Sequence, residues 1–220
     1  MTKQRRIGII YGLSTLLILY YVDHQLQPGY WIKSGLKLAL FGLVPLWFLY
    51  RNSFHLKQLL DFKRVKTSFF GLCLGIILVI LTGYFILTQF TSFANIPELL
   101  NQQVQVNLNN FFWVSLYIIL INALLEEFFF RYLLIRLFKM DKLWLTHLIS
   151  ALLFALYHVA IINQWFQVWL FVLIVMGLTV VGLFFSTLNK GKNGITHSYL
   201  IHSSANIGIN LVGLILMLQL

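Results

Sequence analysis

Apolar residues in this chain neither alternate nor recur on one helical face; they run in long unbroken blocks separated by short polar connections. Seven blocks stand out, at 6–22, 35–50, 69–90, 111–135, 144–162, 165–188 and 195–219. A helix needs about twenty mostly apolar residues to cross hydrocarbon. The alternating ten-residue pattern of a membrane barrel does not recur. The pattern therefore predicts an all-α, polytopic transmembrane helix bundle of seven or eight helices. The first two blocks are short, so their ends extend into the flanking loops, and the sixth is long enough to hide a break near Gly177 or Gly182. Between blocks, 91–110 is polar, with Pro97 and a run of Asn and Gln, and reads as an outer-surface loop. The stretch 51–68 mixes basic residues with Phe54, Leu56, Leu59, Leu60 and Phe62. It reads either as an amphipathic helix on the inner leaflet or as a solvated connection. No internal repeat is visible. The chain divides into N-terminal helices with a basic inner loop, 1–110, and a second transmembrane region, 111–220, that carries the polar chemistry.

Composition excludes the soluble classes. The chain is 60% hydrophobic and 10% charged, against roughly 25% charged in soluble domains. Cys73 is the single cysteine and lies in an apolar block, so neither a disulfide nor a thiolate metal cluster can be built. A net charge of +10 invites a nucleic-acid reading until the basic residues are placed. Lys3, Arg5, Arg6, Arg51, Lys57, Lys63, Arg64, Lys66, Arg136, Lys139, Lys142, Lys190 and Lys192 fall in alternate connections. Only Lys33 and Lys37 fall in the others, and Arg131 lies inside a block. Thirteen against two is the signature of the positive-inside rule. The charge sets topology: an integral membrane protein with its N-terminus cytoplasmic, partnered by the lipid bilayer and not by nucleic acid. The basic start and first block lack a small-residue cleavage pattern and read as an uncleaved span.

Ionisable groups at bilayer depth are unfavourable, which makes them functional candidates. The fourth block contains Asn122-Ala-Leu-Leu-Glu126-Glu127-Phe-Phe-Phe-Arg131. Glu127 and Arg131, four residues apart, share a helical face and can pair. Glu126 points about 100° away, which predicts a carboxylate free to face a cavity, with Asn122 on its face. The aromatic run Phe128–Phe130 reads as lipid-facing. The fifth block carries Phe154 and His158, and the seventh a stripe of Ser198, His202, Asn206 and Asn210. Facing lipid, all would be costly; converging on one interior cavity satisfies them together. At ~1.5 Å per residue, Glu126 and Asn206 come to about 15 Å depth, His202 to about 10 Å and His158 to about 22 Å, an unresolved mismatch.

A glutamate beside a histidine in a dry cavity can activate water, because burial makes a carboxylate a better proton acceptor and the imidazole can relay the proton. A second histidine and an asparagine can donate to the oxyanion of a tetrahedral intermediate. Other hydrolase designs are missing. There is no His-Glu-x-x-His motif, the three aspartates (Asp23, Asp61 and Asp141) are all in loops, and no strong serine-nucleophile context occurs.

Taken in order on three blocks, Glu126-Glu127-x-x-x-Arg131, Phe154-x-x-x-His158 and His202-x-x-x-Asn206 resemble the signature of the CPBP family of intramembrane proteases. The family comprises CAAX proteases and bacteriocin-processing or immunity (Abi) proteins. The resemblance covers about residues 111–210. It implies that Glu126 is the base, assisted by His158, that His202 and Asn206 stabilise the oxyanion, and that Glu127 and Arg131 support the site. Two mechanisms remain open under it: a metal-free glutamate mechanism without cofactor, and a divalent ion such as zinc at Glu126, His158 and His202. The family's usual helix number is about eight. The expected activity is endopeptidase cleavage of a membrane-associated peptide or protein substrate from the inner side of a bacterial inner membrane, with bacteriocin self-immunity or processing as a role. A non-catalytic immunity or binding protein, and a proton-linked transporter, are the rival classes.

Overall fold

The computed structural model describes residues 3–51, 59–138, 140–162, 167–189 and 194–218. Among them there are eight helices besides one short 3-10 turn, and no strand. We label them α1 (3–26), α2 (Tyr30–Arg51), α3 (Ser68–Leu87), α4 (Ile96–Val104), α5 (108–137), α6 (Leu143–Ile162), α7 (Val168–Leu188) and α8 (Thr196–Leu218). Five stretches are long and apolar enough to cross a membrane, Arg6–Leu26, Tyr30–Arg51, Ser68–Leu87, Val168–Leu188 and Thr196–Leu218, and Leu143–His158 is a shorter apolar helix.

Several boundaries differ from the pattern reading, each for a local reason. Helix α1 continues through Asp23 and His24 and stops at Gln27, whose left-handed backbone (φ 40°) returns its N–H to Val22 O. After Gly29, α2 begins at Tyr30, not near residue 35. Lys33 and Lys37 thus lie on a helix and not in a loop; Lys33 pairs with Asp23 at 3.1 Å. The polar stretch 91–110 is not one loop. It contains α4, with Pro97 in its first turn and Gln105 (φ 58°) ending it. Its asparagines then cap α5: Asn107 accepts from Asn109 N, and Asn110 accepts from Asn107 N. Helix α7 runs unbroken past Gly177 and Gly182. Across 59–67 only the turn Phe62–Arg64 is helical, braced by an Arg64–Asp61 pair, so these residues are a connection and not an inner-leaflet helix. Phe54, Leu56 and Lys57, like Lys139, Lys190 and Lys192, lie outside the described residues.

Two compact units are distinguished. The first joins residues 1–60 to 125–195. In it, Gly182 lets α7 lie against α6; an added methyl would stand 2.9 Å from Ala151 Cβ. Gly42 on α2 admits Leu125, and Ser150 on α6 donates to Phe130 O at 2.6 Å. Phe41 stacks on Phe129 at 4.1 Å between centroids. Phe128, Phe129 and Phe130 are all buried, which corrects their lipid-facing reading. Hydropathy cannot separate a lipid-facing aromatic from one packed among other rings.

The second unit joins 61–124 to 196–220. Helices α3 and α8 pack side by side, with Gly208 fitted against Ile80. The N-terminal part of α5 opens into π-helical turns at Ile118–Asn122. Such turns disturb the regular ladder and leave carbonyls for other donors. Side chains of α8 take three of them: Asn206 donates to Ile118 O, Ser203 to Ile119 O and Tyr199 to Leu120 O, at 3.0, 2.8 and 3.2 Å.

Candidate active site

Helix α5 makes one regular turn, Ala123–Glu126, and widens again into π-helical turns over Glu127–Leu134, within the first unit. Glu126 is 1% exposed and Glu127 fully buried. The expected Glu127–Arg131 pair is present, Oε2 to Nε at 3.9 Å, with both side chains fully enclosed. Aromatic faces surround the rest of that guanidinium. Its carbon lies 4.5 Å from the centroid of Phe154, 5.6 Å from Phe185 and 5.9 Å from Phe130. Gly182 contributes space here as well, since a methyl there would stand 3.3 Å from Arg131 Nη2.

Glu126 is not the free carboxylate that the pattern suggested. Lys37 Nζ, on α2, donates to its Oε1 at 2.8 Å, and both groups are buried. The ammonium also lies over the ring of Tyr157 at 4.7 Å and near that of Phe41 at 5.8 Å. An unpaired ion here would be destabilising by several kcal/mol; the pair offsets that penalty with a charge-assisted hydrogen bond. Sequence reasoning missed Lys37 by assigning it to an outer connection. The signal was there: a lysine within a stretch that is otherwise apolar to Arg51.

His158 stands beside the other carboxylate oxygen, Nε2 to Oε2 at 3.5 Å. The depth mismatch between these two residues is thereby resolved. Its Nδ1 lies 2.8 Å from Phe154 O, and because a carbonyl only accepts, Nδ1 carries a hydrogen. Phe154, four residues earlier, therefore fixes the tautomer through its backbone and packs its ring 4.4 Å from the imidazole. In neutral His158 the Nε2 lone pair is left facing Glu126.

His202 and Asn206 lie on α8 in the second unit, buried at 5% and 9% exposure. Asn206 Nδ2 spends one of its two hydrogens on Ile118 O. The stripe continues to Asn210, which donates to Asn206 O at 2.7 Å and accepts from Ser115 at 2.8 Å.

Residues 108–208 match the family model of type II CAAX prenyl endopeptidase Rce1-like proteins. This agrees with the CPBP resemblance. No curated protein and no solved structure gives a significant match. The Rce1-like stretch contains Glu126, Glu127, Arg131, His158, His202 and Asn206, and it leaves out Lys37. With the apolar helices, it marks an integral membrane protein similar to a family of intramembrane peptide hydrolases.

A divalent ion fits poorly at Glu126. One carboxylate oxygen already receives an ammonium at 2.8 Å, and a metal beside it would place cation against cation. Among the described residues, no group of three or more His, Cys, Asp or Glu side chains is arranged to hold a metal.

Proposed function

We propose that this protein is an intramembrane endopeptidase that hydrolyses a peptide bond of a membrane-associated substrate, with Glu126 as the base. The observation that supports this best is the 3.5 Å approach of Glu126 Oε2 to His158 Nε2. With Nδ1–H committed to Phe154, neutral His158 and ionised Glu126 present two acceptors to each other. One water can donate a hydrogen to each and be polarised by both. Its oxygen attacks the scissile carbonyl carbon while a proton passes to Glu126. The C–N bond then breaks, the leaving nitrogen takes a proton relayed through Glu126 or His158, and the products are a carboxylate and an amine. His202 and Asn206 are assigned to the oxyanion, where preorganised donors act mainly in the transition state. Glu127 and Arg131 are assigned a supporting role, holding the wide turns that follow Glu126. The reading needs no metal.

The proposed setting is a bacterial inner membrane, with the N-terminus cytoplasmic and cleavage from the inner side. The basic connections support that orientation. Bacteriocin processing or self-immunity is the proposed role for this chemistry. The test uses purified protein in proteoliposomes carrying a pool of lipid-anchored peptides, prenylated CAAX peptides among them, with products read by mass spectrometry. Glu126→Gln is expected to cut turnover by about 10²–10⁴-fold, measured per molecule that has folded and inserted. Wild-type turnover by that variant would remove Glu126 as the base.

A further inference from the structure

Lys37 lies outside the Rce1-like stretch, yet its ammonium donates to the residue proposed as base. We infer that Lys37 is a positioning residue of the hydrolytic site, supplied by α2, which fixes one oxygen of Glu126 and leaves the other aimed at His158. The inference rests on the hydrolytic reading of Glu126 given above. Three observations carry it. The two carboxylate oxygens have different neighbours, Oε1 receiving Lys37 at 2.8 Å and Oε2 facing His158 Nε2 at 3.5 Å. The ammonium is itself held, over Tyr157 at 4.7 Å, and Tyr157 lies edge-on to His158 with centroids 5.2 Å apart. Finally, the backbone of α2 is shaped for this approach. π-helical turns over Leu38–Leu43 follow Lys37 directly, and Gly42 within them makes room for Leu125, the residue before Glu126.

The consequence is chemical as well as structural. A carboxylate that rotates presents either oxygen, whereas one clamped at Oε1 offers the same oxygen to water in every turnover. The ammonium is an opposite charge placed 2.8 Å from one oxygen of the base before water is deprotonated. It stays in place when the proton arrives at Oε2, so it acts on the base without touching the peptide. Its removal therefore slows the chemical step more than it weakens substrate binding.

The experiment compares wild type, Lys37→Met, Lys37→Arg and Glu126→Gln in the same proteoliposomes, with the peptide that the wild type cleaves. Lys37→Met is expected to lose about 10²–10³-fold in kcat with KM within about threefold. Lys37→Arg, which retains the charge, is expected to recover most of that loss. If Lys37→Met fails to fold, Lys37→Leu replaces it; this variant neither donates to Oε1 nor carries a charge, and the same loss is expected. A folded neutral variant with wild-type kcat overturns the inference, as does a folded Lys37→Arg protein as slow as the neutral ones. Nitrogen–carbon dipolar coupling between labelled Lys37 and Glu126 in unmutated protein gives a check independent of variant folding, and its absence also overturns the inference. Full turnover by Glu126→Gln overturns instead the hydrolytic reading beneath it, so the two failures are distinguishable.

Discussion

The two units handle buried polarity in opposite ways. In the first, whole charges are enclosed: Lys37 with Glu126, and Arg131 with Glu127, walled by Phe41, Phe129, Phe130, Phe154, Tyr157 and Phe185. In the second, the hydrogen bonds between α5 and α8 join neutral groups: hydroxyls and amides of α8 meet carbonyls released by the wide turns of α5, and Ser115 meets Asn210. A buried charge has one sufficient remedy, an opposite charge with good geometry. A buried carbonyl accepts any donor. The first arrangement is therefore brittle to substitution, and the second is more tolerant.

That contrast can be broken most forcefully at the ion pair. Glu126→Gln or Lys37→Met alone leaves a buried charge uncompensated and is expected to destabilise by about 3–5 kcal/mol. The double variant, neutral on both sides, is expected to lose less than either single one while remaining inactive. Thermal unfolding in detergent, with turnover assayed in parallel, measures both. Equal and additive losses would show that the two groups do not interact. Next in size is Gly182→Ala, which forces a methyl against Ala151 and towards Arg131 and should be destabilising by about 1–3 kcal/mol. In the neutral unit, Ser203→Ala leaves Ile119 O without its donor and should lower stability by about 1 kcal/mol, with Tm as the readout. The smallest effect is expected at Asp23→Asn, which removes the partner of Lys33 near the end of α1, at no more than about 1 kcal/mol.

The parts of this arrangement that were legible in the sequence share one property, locality. Glu127 and Arg131 are four residues apart, so helical geometry alone joins them, and the long apolar blocks announce an all-helical membrane protein. His158 and Glu126 were expected together on chemical grounds and do meet. The partner of Glu126 was not legible. Lys37 is 89 residues away, and positive-inside counting assigns a lysine near a block edge to a loop. The wide turns at 118–122 and 127–134 were equally hidden, because a π-helical turn leaves no mark in hydropathy and reveals itself only through the donors that meet its carbonyls. Phe128–Phe130 shows the same limit: three aromatics in an apolar helix look alike whether they face lipid or one another.

The Lys37–Glu126 pair also bears on how the chain is made. Its members are 89 residues apart, so at about 5–20 residues per second the carboxylate leaves the ribosome roughly 4–18 s after the lysine. During that interval α2 carries an uncompensated cation that is unfavourable by about 2.5–3.5 kcal/mol at the centre of a membrane helix. The nascent α2 is therefore expected to linger at the insertion machinery, settling into lipid only when α5 arrives. Truncated chains ending before Glu126 should accordingly show incomplete integration of α2 in glycosylation mapping, and chains extended past it should show full integration.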